Sequence, residues 1–397
     1  GNPVTSIDGL TYVPNVQTIT SDGSTQTVSG FDITTASGTF VVASLYSITA
    51  DSTTPTTQNW EFTATFINLD SDQQGNTGKE MDAEIIIQED EMKPILADYI
   101  TGLYTIDGEN GLYLHDADLA NGAQDNSYRY SGANPNNYVC FGSTESPCPE
   151  ENLYRIIGTF DDDKDSNYQI KLIKADYTTS AMLGTDGRDY YGTYNQSTSN
   201  YKGSMDTSTI ATYRWNYDTS VSTYGSNNWT TSEFNTINLN TNYWNYLGAT
   251  WQNLIAETTW HLGGMTSNGN TAKAFYDGER NNAGYGSNST TYTDEIGLMY
   301  PSDYGYAASP DAWATNLSSY SSSTITSNNW LYMGLNEWTI TPRSSDSYYV
   351  FHVNYYGSLS NYYAFNGRSA RPVFYLESNV ALQGGSGTSN DPFILAV

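Results

Sequence analysis

Three groups of residues have the types and spacing to do chemistry. Asp161, Asp163 and Asp165 alternate in DDDKDSN like the first ligands of a calcium loop. The loop glycine and the distal glutamate of an EF-hand are missing, so the run reads as a solvated turn and no metal or cofactor is assigned; calcium is only the cation such a run would suggest. Cys140 and Cys148 flank the short segment FGSTESP. A disulfide closes so short a loop easily and fits an oxidising compartment, whereas two cysteines without nearby histidine are too few for zinc. His115, His261 and His352 are scattered, and none is assigned to a metal. No GxSxG elbow, HExxH pair or phosphate-binding glycine loop occurs. Glu337, beside Trp338, and Asp303, in PSDYGY, are the acidic residues nearest the aromatic strands. Hydrogen bonding in turns is their plainer role, and the chain is read as a protein that is not an enzyme.

The third group is recognition chemistry. The stretch YYVFHVNYYGSLSNYYAFNGRSARPVFYL, residues 348 to 376, crowds tyrosine, asparagine and serine against a closing apolar run. The whole chain holds 35 tyrosines and nine tryptophans but only 15 % charged residues. Aromatic excess with Asn and Ser is the composition of antibody paratopes, where Tyr gives contact area at low entropic cost. Tyr and Thr are also good strand residues, which is the plainer account of the chain as a whole.

Charge narrows the partners. With 43 acidic and 15 basic residues the net charge is −28. A field of that sign repels phosphate backbones and anionic membranes, so nucleic acid is excluded. No run of 18 apolar residues exists, so no membrane span is expected in this chain. It starts at Gly1 without methionine, which points to a processed or trimmed terminus.

The elements that must carry these residues fall into two blocks. Residues 1–92 read as an all-β sandwich: TFVVASLYSI, NWEFTATFINL and DAEIIIQED are short, β-branched and separated by polar turns. Residues 93–397 read as an α+β module with long irregular loops. Pro94 marks a first helical turn, with Ile95, Tyr99, Ile100 and Leu103 at helical spacing. LYRIIGTF and YQIKLIKADY predict a hairpin, its lysines alternating with apolar residues. Residues 178–232 predict an irregular surface excursion. TTSEFNTINL and YWNYLGATWQNLIAE predict two helices, and ETTWHLGG a strand. EIGLMYPSDYGYAA predicts a strand that turns at Pro301, and NNWLYMGLNEWTITP two short strands.

Several segments carry a resemblance when taken together: NNYVCFGSTESPCPEENLYRIIGTF, IKLIKADYTTSAMLGTDG, IGLMYPSDYGYA, NEWTITP, GRSARPVFYL and GSGTSNDPF. They resemble a family of large extracellular proteins from gut-dwelling low-GC Gram-positive bacteria. That module in turn resembles the C-type-lectin-like fold of retroelement-diversified variable proteins and of formylglycine-generating-enzyme relatives. The resemblance covers about residues 93–397. It implies that a segment near the C-terminus carries ligand-facing residues, followed by a framework strand. Arg371 and Pro372 would be framework, with Val373, Phe374 and Leu376 in the core. The display positions would be Tyr348, Tyr349, His352, Asn354, Tyr355, Tyr356, Ser358, Asn361, Tyr362, Tyr363 and Asn366. The redox cysteines of formylglycine-generating enzymes lie late in the domain, whereas both cysteines here lie early.

The expectation is therefore a secreted or cell-surface binding protein, adhesin-like, whose partner is a carbohydrate or protein on another cell or host. A structural alternative is the subunit of an extracellular filament or pilus, built from copies of itself by strand exchange through residues 1–92. A secreted glycan hydrolase is the weakest alternative.

Overall fold

The computed structural model describes residues 93–161, 167–321 and 323–397, together with five short strands within the first 92 residues. The chain divides into two compact units, Gly1–Met92 and Lys93–Val397.

In the first unit, strands β1 (Leu10–Tyr12) and β5 (Ala64–Phe66) pair antiparallel, and β2 (Val16–Ile19) lies between β3 (Thr25–Thr27) and β4 (Gln58–Glu61), antiparallel to both. The strands expected in TFVVASLYSI and DAEIIIQED, and the packing that would make a sandwich, lie outside the described residues.

The second unit is α+β. Its main sheet has nine strands: β6 (Leu112–Leu114), β7 (Tyr128–Tyr130), β8 (Tyr138–Cys140), β9 (Leu153–Phe160), β10 (Gln169–Lys174), β13 (Ile255–Ala256), β19 (Val373–Leu376), β20 (Leu382–Gly384) and β21 (Phe393–Leu395). Along one path the order is β13-β19-β10-β9-β8-β21-β20, and β6 joins through β7 to β9. All pairs are antiparallel except β21 with β8. The predicted hairpin of β9 and β10 forms the centre, and the PVFYL run becomes β19 beside it. Both central strands are buried along almost their whole length, so Lys171 and Lys174 point inward rather than to solvent. The helix Leu96–Gly102 packs over β9 and β10, as Pro94 and the apolar spacing predict.

Three smaller sheets surround it. β11 (Tyr190–Thr193) pairs with β12 (Ala211–Tyr213), and β14 (Thr258–His261) with β15 (Thr291–Asp294). β16 (Glu337–Pro342), β17 (Tyr349–Val353) and β18 (Leu359–Tyr363) form a three-stranded antiparallel sheet. A backbone ladder ties it to the main sheet: Gly297 exchanges hydrogen bonds with Val373 of β19, and the Met299 carbonyl accepts from the Ile340 amide of β16 at 3.1 Å.

Several local expectations change. The segment after Ile296 contributes one bridge and then a helix, Pro301–Tyr306, with Pro301 at its first position and the Asp303 carboxylate taking the Tyr300 amide. NNWLYMGLNEWTITP forms one strand, β16, rather than two. The two predicted helices become a widened helix, Phe234–Tyr243, running into single turns at Trp244–Leu247 and Ala249–Gln252. The stretch 178–232, expected as a surface excursion, buries Tyr177's neighbour Thr178 along with Ile210, Tyr213, Trp215 and Trp229 in the core. Aromatic residues thus supply much of the interior: Trp215, Trp229, Trp260, Trp313 and Trp338 are among its largest buried side chains.

Candidate functional site

The hairpin of β17 and β18 carries nearly all the residues expected on a binding face. Its register pairs Tyr349 with Tyr363, Phe351 with Asn361 and Val353 with Leu359 on one face, and Val350 with Tyr362 and His352 with Ser360 on the other. Side chains alternate between faces. Phe351, Val353 and Leu359 are buried, and Phe351 meets Phe275 edge to face at 5.2 Å. The strands are held by these apolar residues.

Asn354 and Ser358 build the tip instead of facing outward. The Asn354 amide donates to the Ser358 carbonyl, and the Gly357 amide donates to the Asn354 carbonyl. The Asn354 Oδ1 accepts from the Tyr356 and Ser358 amides, at 2.9 and 3.2 Å, and its Nδ2 donates to Ser358 Oγ at 2.6 Å. Their polar atoms are spent on the turn, as asparagine at a loop start often is. Gly357 has φ +94° and a Cβ there would lie 2.2 Å from Thr326 Cγ2, so the position needs glycine on both counts.

Other elements clamp the same tip. Tyr304 Oη, from the helix Pro301–Tyr306, donates to the Gly357 carbonyl at 2.5 Å. The Tyr355 carbonyl accepts from Asn200 Nδ2 at 2.8 Å and Tyr332 Oη at 2.7 Å. With the backbone fixed, the rings of Tyr355 and Tyr356 pack on each other at 4.0 Å, and Tyr356 is 55 % exposed.

At the other end of the hairpin the tyrosines stack. Tyr363 lies between Tyr224 at 4.3 Å and Tyr349 at 5.0 Å, both nearly parallel to it, and Tyr348 closes the cluster at 4.9 Å from Tyr349. Tyr348, Tyr349 and Tyr363 are half-buried. The bond to Tyr363 pushes the Tyr349 phenol up to about 12. Tyr362 is 38 % exposed and lies over the guanidinium of Arg368 at 4.4 Å. Asn361 and Asn366 are half-buried.

His352 departs from the expectation. It is 3 % exposed, packed edge-on against Trp338 at 5.8 Å and Tyr362 at 6.1 Å. It shares a face of the sheet with Tyr362 but is covered there, and burial together with nearby Arg368 holds its pKa well below the ordinary histidine value. It is a neutral core ring rather than a display residue.

The carboxylates singled out from the sequence are engaged inside the protein. Glu337 accepts from Arg371 Nε and Nη2 at 2.7 and 3.0 Å, and Arg371 also donates to the Leu331 carbonyl. Arg371 is thus buried and held by its neighbours. Asp303 accepts from Lys171 Nζ at 2.6 Å and lies 3.6 Å from Arg129, which in turn pairs with Asp125. All of these except Asp125 are nearly inaccessible to solvent, so the network staples β7 and β10 to the helix at Pro301. Neither sequence alternation nor composition marks Lys171 as buried; only the central place of β10 does.

Cys140, at the end of β8, forms a disulfide with Cys148. Asp161 interacts with another group of the protein, and Asp163 and Asp165 lie outside the described residues. Among the described residues no group of three His, Cys, Asp or Glu side chains is arranged to hold a metal ion, and no helix is long and apolar enough to cross a membrane. No family model, curated protein or solved structure matches the chain.

Proposed function

We propose that residues 93–397 form a ligand-binding module of an extracellular or cell-surface, adhesin-like protein, on a C-type-lectin-like scaffold. The observation that carries this reading is the β17–β18 hairpin. Its tip is clamped by Tyr304, Asn200 and Tyr332, yet Tyr355, Tyr356 and Tyr362 keep ring surface toward solvent. Rings on a fixed backbone lose little entropy when they meet a partner, which favours recognition by contact over covalent chemistry. The disulfide suits an oxidising location. The ligand is a carbohydrate or a protein surface on another cell.

The test is capture on glycan and protein arrays by the full chain and by a Tyr355→Ala, Tyr356→Ala, Tyr362→Ala variant. The variant is expected to lose capture while melting at nearly the same temperature. Equal capture by both proteins, or no captured ligand at all, removes this reading.

A further inference from the structure

Lys171 and Asp303 meet in the interior, and little else holds the lysine. Lys171 stands on β10, between β9 and β19, and Asp303 lies in the helix Pro301–Tyr306, 132 residues further along the chain. Nζ lies 2.6 Å from Oδ2, and the two side chains are 1 % and 2 % exposed. The β9–β10 register shifts between Lys171 and Leu172, the kind of irregularity that re-aims a side chain. An ammonium has three protons to place. Among the described residues, Asp303 is the one hydrogen-bond acceptor that Nζ has. The rest of its surroundings are rings: Tyr300 at 4.4 Å, Tyr375 at 5.3 Å, Phe160 at 5.6 Å and Trp260 at 5.8 Å.

The neighbouring cations have carboxylates of their own. Arg129, 3.6 Å from Asp303 Oδ1, has Asp125 at 2.5 Å, and Arg280 has Glu279 at 3.6 Å. Burial lowers the pKa of Lys171, with Asp303 opposing and Arg280 and Arg129 adding to the fall, which brings the neutral amine within reach. Asp303 is held still: the Tyr300 amide donates to its Oδ2 at 2.9 Å, and the adjacent Ser302 gives its amide and hydroxyl to Glu279. A buried ion pair carries the desolvation cost of both charges. A neutral amide in its place carries neither and needs one acceptor for one N–H.

We propose that Lys171 and Asp303 condense within the folded chain to a side-chain amide, which ties β10 covalently to the helix at Pro301. The ion pair is the reactant of this step. The ammonium gives one proton to Oδ2 across the 2.6 Å contact, leaving an amine and a carboxylic acid. The Nζ lone pair attacks Cγ and the Nζ–Cγ bond forms. The negative charge of the tetrahedral intermediate falls on Oδ1, the oxygen that faces Arg129. A second proton passes from Nζ to Oδ2, the Cγ–Oδ2 bond breaks, and water leaves. One amide N–H remains. Nothing is oxidised or reduced, and no co-reactant enters; the fixed approach of the two groups replaces an encounter in solution. The link is independent of what the tyrosine face binds.

The experiment is the intact mass of the full chain, folded and then denatured and reduced so that the disulfide does not contribute. The mass is expected to fall short of the sequence mass by one water. A protease digest should contain a branched peptide whose fragments join Lys171 to Asp303. Lys171→Arg and Asp303→Ala should each return the full sequence mass and remove the branched peptide. The full sequence mass in the wild-type chain overturns the proposal. So does a water loss that persists in Lys171→Arg, or one that the digest assigns to other residues. The wild-type mass and digest need no variant, so a substitution that fails to fold does not decide the matter.

Discussion

Tyr304 and Gly357 are joined by a 2.5 Å hydrogen bond from the phenol of a core helix to the carbonyl at the tip of the β17–β18 hairpin. Tyr304 is fully buried, so this bond carries the rigidity of the interior out to the turn that holds Tyr355 and Tyr356. Tyr304→Phe removes the hydroxyl and leaves the Gly357 carbonyl without that donor. The expected cost is about 1–2 kcal/mol of stability, with faster amide exchange at Tyr356 and Ser358 than in the wild type. Unchanged exchange at the tip would mean that the bonds from Asn354, Asn200 and Tyr332 set its conformation without Tyr304.

The tyrosines of the stretch divide by their packing. Tyr355, Tyr356 and Tyr362 replaced by alanine should shift the melting temperature little. Tyr363→Ala removes the ring stacked between Tyr224 and Tyr349, and about 1 kcal/mol or more should be lost. Equal thermal shifts for the two variants would contradict the division.

Glu279 gives a pH dependence of definite sign. It is fully buried against Ser302, and burial raises its pKa to about 7. In the unfolded chain it titrates near 4.3. Between those values the folded state holds a proton that the unfolded state has released. Stability is therefore full below about pH 4 and falls as pH rises toward 7. Asp189 and Asp294, raised to about 6 and about 7 by burial, slope the same way. Glu279→Gln should flatten the wild-type slope between pH 5 and 8 and gain about 2 kcal/mol at pH 8. Parallel denaturation curves for the two proteins across that range would show that Glu279 does not titrate there.

The Glu337–Arg371 pair anchors the start of β16 to the strand leading into β19. Glu337→Ala leaves a buried guanidinium unpaired and should cost about 3–5 kcal/mol. Removing both charges with Glu337→Leu and Arg371→Met should cost less than the single change. Denaturant melts of the three variants check the order.

Reduction of Cys140–Cys148 should lower stability by about 2–3 kcal/mol, the loop-entropy expectation for a short closed loop. A melt insensitive to reductant would show that the bridge adds nothing.

Some of this architecture is legible without coordinates. LYRIIGTF and YQIKLIK announce β9 and β10 because β-branched runs bounded by polar turns have few other uses. Pro94 with Ile95, Tyr99 and Ile100 places the first helix closely. Cys140 and Cys148 are near enough in sequence to meet. The apolar positions Phe351 and Val353 within a polar, tyrosine-rich stretch reveal a strand that is anchored inside. Other features are not written locally. PSDYGY contains a capped helix start, yet its apolar lead-in reads as a strand. Lys171 alternates like a surface lysine, and only the strands on both sides of β10 bury it and require Asp303 as its partner.

Composition and local pattern determined the residue types: a short list of strands, one helix start, one disulfide and a tyrosine-dense segment beside a core strand. Tertiary structure decided which of those tyrosines are free. Tyr356 and Tyr362 keep exposed rings, Tyr363 is held between Tyr224 and Tyr349, and His352 is turned inward. The physical reason is that a side chain's face is set by strand register, but its burial is set by whatever packs on that face. Tyr224, Trp338 and Arg368 come from separate places in the chain, and no short stretch of sequence contains the information that they meet there.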